Sequence, residues 1–238
     1  MNGGLENVAI QIVDHAREGA DTRLVVPVNC QVFVTAVYDS ALGDVLCHAE
    51  YVVADGAPIV FAKKFLEKSH VSRVTGVDLI TAICAEANAS GLRVLLLGGR
   101  PGAAEATIGV LEKKFPDLIF QVNCPPMGFE KSPEQLARID ETIHAFAPHI
   151  IFVALGAPKQ EFFMDKHLRL SHAPVVMAVG GSFEMISGMV PRAPLWLRKN
   201  GMEWIFRLMH EPRRLFKRYL STNTAFCWLV FKEWLSNL

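Results

Sequence analysis

No Cys-x-x-Cys, His-Glu-x-x-His, Gly-x-Gly-x-x-Gly, P-loop or Asp-x-Asp motif occurs anywhere in this 238-residue chain. Each absence removes a class of chemistry. The five cysteines (Cys30, Cys47, Cys84, Cys124, Cys227) are odd in number and unpaired in spacing, which argues against a disulfide framework. Neither His144 with His149 nor His167 with His172 has the i, i+4 spacing of a helical ligand pair, so no metal site is expected. The opening residues, MNGGLENVAIQ, lack the basic and apolar regions of a signal peptide, and a cytoplasmic location is the expectation. Lys and Arg number 24, as do Asp and Glu, so nothing in the overall charge suggests nucleic acid as a partner.

Zero net charge conceals an asymmetry. Residues 195–238 hold eight basic against three acidic side chains, and the rest of the chain is correspondingly acidic. The basic end is also aromatic, with Trp196, Trp204, Phe206, Phe216, Tyr219, Phe226, Trp228, Phe231 and Trp234. That combination suits an anionic surface. The apolar cluster Phe226–Phe231 is too short to span a bilayer and long enough to lie in its interface.

Apolar runs alternate with amphipathic stretches through the main body, the pattern of a mostly parallel sheet covered by helices. Strands are predicted at Arg23–Val28, Tyr51–Ala54, Val94–Leu97, Leu118–Val122, His149–Ala154 and Val175–Val179. Helices are predicted between them, among others at Pro58–Leu66, Val77–Ala89, Gly102–Phe115 and Pro133–Phe146. Polar or glycine-bearing turns follow the strands: Asn29, Asp55-Gly56, Gly98-Gly99, Asn123, Gly156 and Gly180-Gly181. Parallel strands would gather these turns on one sheet edge, where ligands bind. From about Pro194 the alternation gives way to helix, dividing the chain into an α/β domain (1–194) and a helical appendage (195–238). Pro212 is expected to interrupt that helix at Glu211. Arg207, Arg214 and Arg218 would share a face only if it were unbroken.

The richest segment is IFVALGAPKQE, Ile151–Glu161: a strand, the unencumbered Gly156, a proline suited to a first helical turn, then Lys159, Gln160 and Glu161. Several other positions have two readings. Gly98-Gly99-Arg100 is either a diphosphate cradle at a helix start or a plain strand-to-helix turn. Asp55 is either a general base at the sheet edge or a helix N-cap. Asn29 could bond a substrate or merely cap a helix. Arg73 and Arg192 are either anion contacts or, respectively, a solvated side chain and part of a proline-stiffened linker.

Taken together, ADGAPIV, SRVTGVDL, VLLLGGRPG, VALGAPKQE, VGGSFEMISGMVPRAP and NGMEWIFRLMHEPRRLFKRY resemble the WecG/TagA/CpsF glycosyltransferases (glycosyltransferase family 26), from about Asn29 to Tyr219. Two departures stand out: Glu184 replaces a common Asp, and PVNCQVF replaces the commoner T-x-N-x-E around Asn29. The resemblance implies a Rossmann-like α/β fold and inverting transfer of a sugar from a UDP-sugar to a polyprenyl-diphosphate-linked saccharide. N-acetylmannosamine, its uronic acid, glucuronic acid and related hexoses are all candidate sugars. It implies teichoic acid, capsule or exopolysaccharide synthesis at the inner face of the plasma membrane, with the appendage attached peripherally. It casts Asp55 as base and Asn29, Arg73 and Gln160 as site residues, with Arg207, Arg214 and Arg218 facing a diphosphate. Lys159 and Arg192 are further candidates for an anionic sugar, and Gly156 joins Gly98, Gly99 and Arg100 as a nucleotide contact.

With no Asp-x-Asp to hold a divalent ion, the negative charge on departing UDP is left to arginines and backbone amides, so the expected transfer needs no metal and no cofactor. The alternatives are a nucleotide-dependent oxidoreductase, disfavoured by the missing Gly-x-Gly-x-x-Gly, and a non-catalytic membrane-bound nucleotide-binding protein. A homo-oligomer interface is the competing use of the aromatic appendage.

Overall fold

The computed structural model describes residues 4–19, 21–68 and 71–236, apart from the side chain of Arg214. The chain runs α1 (Leu5–Glu18), β1 (Arg23–Val28), α2 (Cys30–Tyr38), α3 (Ser40–His48), β2 (Tyr51–Ala54), α4 (Ala57–Glu67) and α5 (Gly76–Ala87). It continues with β3 (Arg93–Gly98), α6 (Ala103–Lys114), β4 (Ile119–Asn123), α7 (Pro133–Phe146), β5 (Ile150–Ala154) and α8 (Lys159–Phe163). Then come β6 (Val175–Ala178), α9 (Ser182–Ile186), α10 (Leu195–Lys199), α11 (Glu203–His210) and α12 (Pro212–Ser236).

All six strands are parallel, in the order β2-β1-β6-β5-β3-β4. Parallel strands are covered on both faces, which is why β3, β5 and β6 read as continuous apolar runs. Their alternate side chains enter two cores: Val94, Leu96, Phe152 and Met177 pack beneath α1, α5 and α6. Leu95, Leu97, Ile151 and Val176 pack with Ile139 and Ile143 of α7 and with Phe163. Fully burying a side chain such as Leu96 or Phe152 contributes about 1.5–3 kcal/mol, so these two layers dominate the stability of the sheet.

Caps set where the helices begin. Asn29 Oδ1 accepts from the Gln31 and Val32 amides, Thr75 Oγ1 from Asp78 N–H, and Ser132 Oγ from Gln135 N–H ahead of Pro133. Each satisfies an amide that would otherwise lack a partner in the first turn.

The predicted strands and helices are present, with ends shifted by one or two residues; His149 and Val179 fall just outside β5 and β6. The helical run breaks at Glu211, whose φ of −130° and ψ of 55° are not helical, and α12 starts on Pro212. Among the described residues no single helix is long and apolar enough to cross a membrane. α12 lies instead along α2 and α4, with Phe226 buried among Val34, Ala62 and Cys30. Gly201, at φ +71°, allows the turn before α11 to press on α4. A Cβ there would come within 2.6 Å of the Ala57 Cβ.

Candidate active site

The carboxyl ends of β1, β2, β5 and β6 open into a cavity of about 280 Å³. It lies toward the β2 side of the sheet. The chain leaves β1 for β2 on that side, then crosses to build β3 and β4 on the other. Such a reversal of winding parts the loops and makes room for a ligand. The first residues of α2, α4 and α5 all line the cavity, represented by Cys30, Ala57 and Gly76. Three helix N-termini converging on one space make it electropositive before any side chain is counted.

Asp55 lies between β2 and α4, half-buried and lining the cavity. Its backbone N–H is tied to the Val28 carbonyl at 2.9 Å, which fixes the residue at the sheet edge. Burial pushes its carboxyl up to about 6. Arg207 and Arg73 pull the value down, while Glu203 and Asp78 raise it. A carboxylate poised there exchanges a proton near neutral pH. Cys30 lines the same cavity, but burial, reinforced by Cys227, lifts its thiol to about 11. It is too weakly ionised to act as a nucleophile.

Gln160 is buried at the cavity wall, where its Oε1 accepts from Gly180 N–H at 3.1 Å. Its Nε2 donates to Oε1 of the fully buried Glu161 at 2.9 Å. Burial raises the Glu161 carboxyl, with the Gln160 bond opposing it. This pair locks the turns after β5 and β6 together. Asn29 both caps α2 and lines the cavity; the cap uses only Oδ1, leaving its NH2 end as the part able to meet a ligand. Arg73 and Gly156 line the cavity as well.

Five expected contacts are not among its walls. Gly98 ends β3, and Gly99 and Arg100 follow it; β5 separates that strand from the cavity. The Gly99 amide bonds the Ala154 carbonyl at 2.8 Å, and the Arg100 amide bonds Glu184 Oε1 at 3.3 Å. Close packing accounts for the glycines: a Cβ on Gly98 would come within 2.8 Å of Leu155, and one on Gly99 within 3.1 Å of Phe183. The plain strand-to-helix turn is the reading that fits. Arg100 instead pairs with Glu211 at 3.1 Å, pinning the junction of α11 and α12. Lys159 points away from the cavity, bonding Glu130 at 2.9 Å and covering the Phe129 ring. Arg192 stands behind the wall on Asp78, at 2.7 Å.

The appendage completes the enclosure. Arg207 of α11 and Arg218 of α12 both line the cavity despite the break between them. Arg214 lies in α12, but its side chain is outside the described residues. Glu203 was not foreseen, although it occupies the E-W-x-x-R stretch four residues before Arg207. It reaches Arg73 at 3.5 Å and Arg192 at 3.7 Å, bridging appendage and body. Asp78 extends the chain of charges to Arg192 and Arg198. Burial alone would raise Asp78, but hydrogen bonds from Arg192 and Thr75 hold it below the usual carboxylate range. Thr222 and Asn223 also line the cavity, as do Trp204 and Tyr219, which the sequence marks only as part of the aromatic appendage. Among the described residues no cluster of three or more His, Cys, Asp or Glu side chains is placed to hold a metal ion.

Glu203→Ala is expected to cost about 2 kcal/mol through the loss of its charged hydrogen bond from Arg73 and its ion pair with Arg192. For a chain of this size that lowers Tm by about 4–8 °C in a thermal melt. An unchanged Tm would mean that the bridge does not hold the appendage to the body.

A parallel α/β sheet bearing an acid at its carboxyl edge, among arginines and helix N-termini, defines an enzyme for anionic ligands. Comparison with known proteins identifies which. Residues 2–238 match the glycosyl transferase WecG/TagA/CpsF family, and the chain belongs to that family. A similar protein from Bacillus spizizenii (strain ATCC 23059 / NRRL B-14472 / W23) is named N-acetylglucosaminyldiphosphoundecaprenol N-acetyl-beta-D-mannosaminyltransferase. It is 32% identical over 197 residues, covering 83% of this chain and 74% of the relative.

Proposed function

We propose that this glycosyltransferase moves a sugar from a UDP-sugar to a polyprenyl-diphosphate-linked saccharide, inverting the anomeric centre and using no metal. The observation that carries the reading is Asp55 in the wall of a cavity also lined by Arg73, Arg207 and Arg218. Asp55 takes the proton from the acceptor hydroxyl as that oxygen bonds to the anomeric carbon. The bond from that carbon to the UDP oxygen breaks, and guanidinium groups receive the departing charge. Direct displacement by the acceptor on the face opposite UDP is what inverts the centre. Asn29 and Gln160 orient the sugars.

The relative's name supports N-acetylmannosamine as the sugar and N-acetylglucosaminyl diphosphate on a polyprenol as the acceptor. The setting is cell-surface polysaccharide synthesis. Residues 195–238 act as a peripheral attachment to the anionic inner face of the plasma membrane. Exposed Trp196 and Trp228, with the basic residues nearby, supply apolar and electrostatic contacts for it.

The test is UDP release by the full-length protein from a panel of UDP-sugars, with a short-chain lipid-diphosphate N-acetylglucosamine as acceptor, with and without EDTA. Acceptor-dependent release from UDP-N-acetylmannosamine, unchanged by chelator, is expected. Loss of activity in EDTA with recovery on adding magnesium overturns metal independence. Release from a different donor replaces the sugar while keeping the reaction.

A further inference from the structure

A second cavity, of about 360 Å³ and almost wholly apolar, lies between α4 and α12. It adjoins the arginine-lined one, and Pro58 lines both. The same two helices wall the two spaces. α4 gives Ala57 to the polar cavity and Phe61 and Phe65 to the apolar groove. α12 gives Tyr219, Thr222 and Asn223 to the first, then Phe226, Val230 and Trp234 to the second. Along α12, which also gives Arg218 to the first cavity, the lining therefore changes from cationic and polar to aromatic. The rings form a connected track: Phe61 stacks on Phe65 at 6.1 Å, Phe65 meets Trp234 at 6.3 Å, and Trp234 meets Phe231 at 6.0 Å.

Phe61 is 68% exposed and Phe65 48%, so this aromatic track is unpaid for by core burial. An amphiphile with a diphosphate head and a hydrocarbon tail matches the lining from end to end. We propose that the groove binds the isoprene units of the acceptor lipid nearest its diphosphate. A dry cavity of about 150 Å³ holds one six-carbon ring, so one of about 360 Å³ takes roughly three five-carbon units. The groove thus selects the acceptor by its tail, a task separate from attaching the protein to a bilayer. The assignment rests on the lipid-diphosphate acceptor proposed above.

The test uses the full chain in free solution, without vesicles or detergent. N-acetylglucosaminyl diphosphates carrying one, two, three or four isoprene units are supplied below their aggregation concentrations. KM is expected to fall about tenfold from one unit to three and then level off, at constant kcat. Phe61→Ser with Phe65→Ser, and separately Trp234→Ser, are expected to raise KM for the three-unit acceptor to that of the one-unit acceptor. Their kcat/KM for the one-unit acceptor should stay within twofold of the parent, and a thermal melt checks that they fold.

A wild-type KM independent of tail length overturns the proposal. So do variants that lose the same factor for every tail. Variants that float less with anionic vesicles yet keep the dependence on tail length would make the track a membrane contact only, which also overturns it. If no acceptor turns over, the acceptor reading fails, and binding of a three-unit isoprenyl diphosphate decides the groove by itself. Binding to the wild type but not to Trp234→Ser sustains the groove, and equal binding or none overturns it.

Discussion

Replacing Asp55 with asparagine is expected to lower kcat by about 10²- to 10⁴-fold, the usual contribution of a positioned general base. That corresponds to about 3–5 kcal/mol of barrier. UDP should bind nearly as before, because the substitution removes a carboxylate that faces no phosphate in the proposed arrangement. The pH profile carries the sharper signature. Asp55 acts as the anion, and burial raises its pKa from the ordinary 3.8 to about 6. Activity of the parent is therefore retained above pH 6 and falls about tenfold per unit below it, rather than persisting to pH 4. In Asp55→Asn the remaining activity should lose this acidic limb. A variant within tenfold of the parent kcat, with the limb intact, would assign the base elsewhere.

The strands and the sheet edge were legible because they rest on local chemistry. A run such as Ile150–Ala154 is apolar throughout because both faces of a parallel strand are covered. Pro212 announced the break at Glu211 for an equally local reason. Strand order is not local, and it is what sets Gly98-Gly99 apart from the cavity. A glycine pair after an apolar run looks the same whether it cradles a phosphate or makes room for Leu155 and Phe183. Only the position of β3 beyond β5 distinguishes them.

Lys159 and Gln160 make a related point. Adjacent residues on a helix diverge by about 100°, so the polar cluster could not face one way: Gln160 enters the cavity and Lys159 joins Glu130 outside. Glu203 was hidden by distance, since its partner Arg73 lies 130 residues earlier. No spacing rule connects two such residues. Spacing singled out the arginines of the appendage and family resemblance suggested their role, and the fold explains the meeting of two of them. The bend at Glu211 leaves α11 and α12 packed on each other, with Arg207 and Arg218 both at the cavity.

Arg207→Ala is the second large effect, expected to lower kcat by about 10²–10³-fold, as removal of a preorganised donor to developing charge does. Arg207→Lys should recover only part of this. An ammonium group keeps the positive charge but lacks the planar fork that grips two phosphate oxygens. A structural role would reduce activity too, so the deciding readout is again the acidic limb. The Arg207 cation favours the ionised form of Asp55 and lowers its pKa. Without it, Asp55 holds its proton to higher pH, and the limb in Arg207→Ala must move toward alkaline pH. In Arg207→Lys, which keeps the charge, it should stay near that of the parent. Loss of activity with an unmoved limb would leave Arg207 as a support for α11, whereas loss with the alkaline shift would tie the appendage electrically to the catalytic carboxylate.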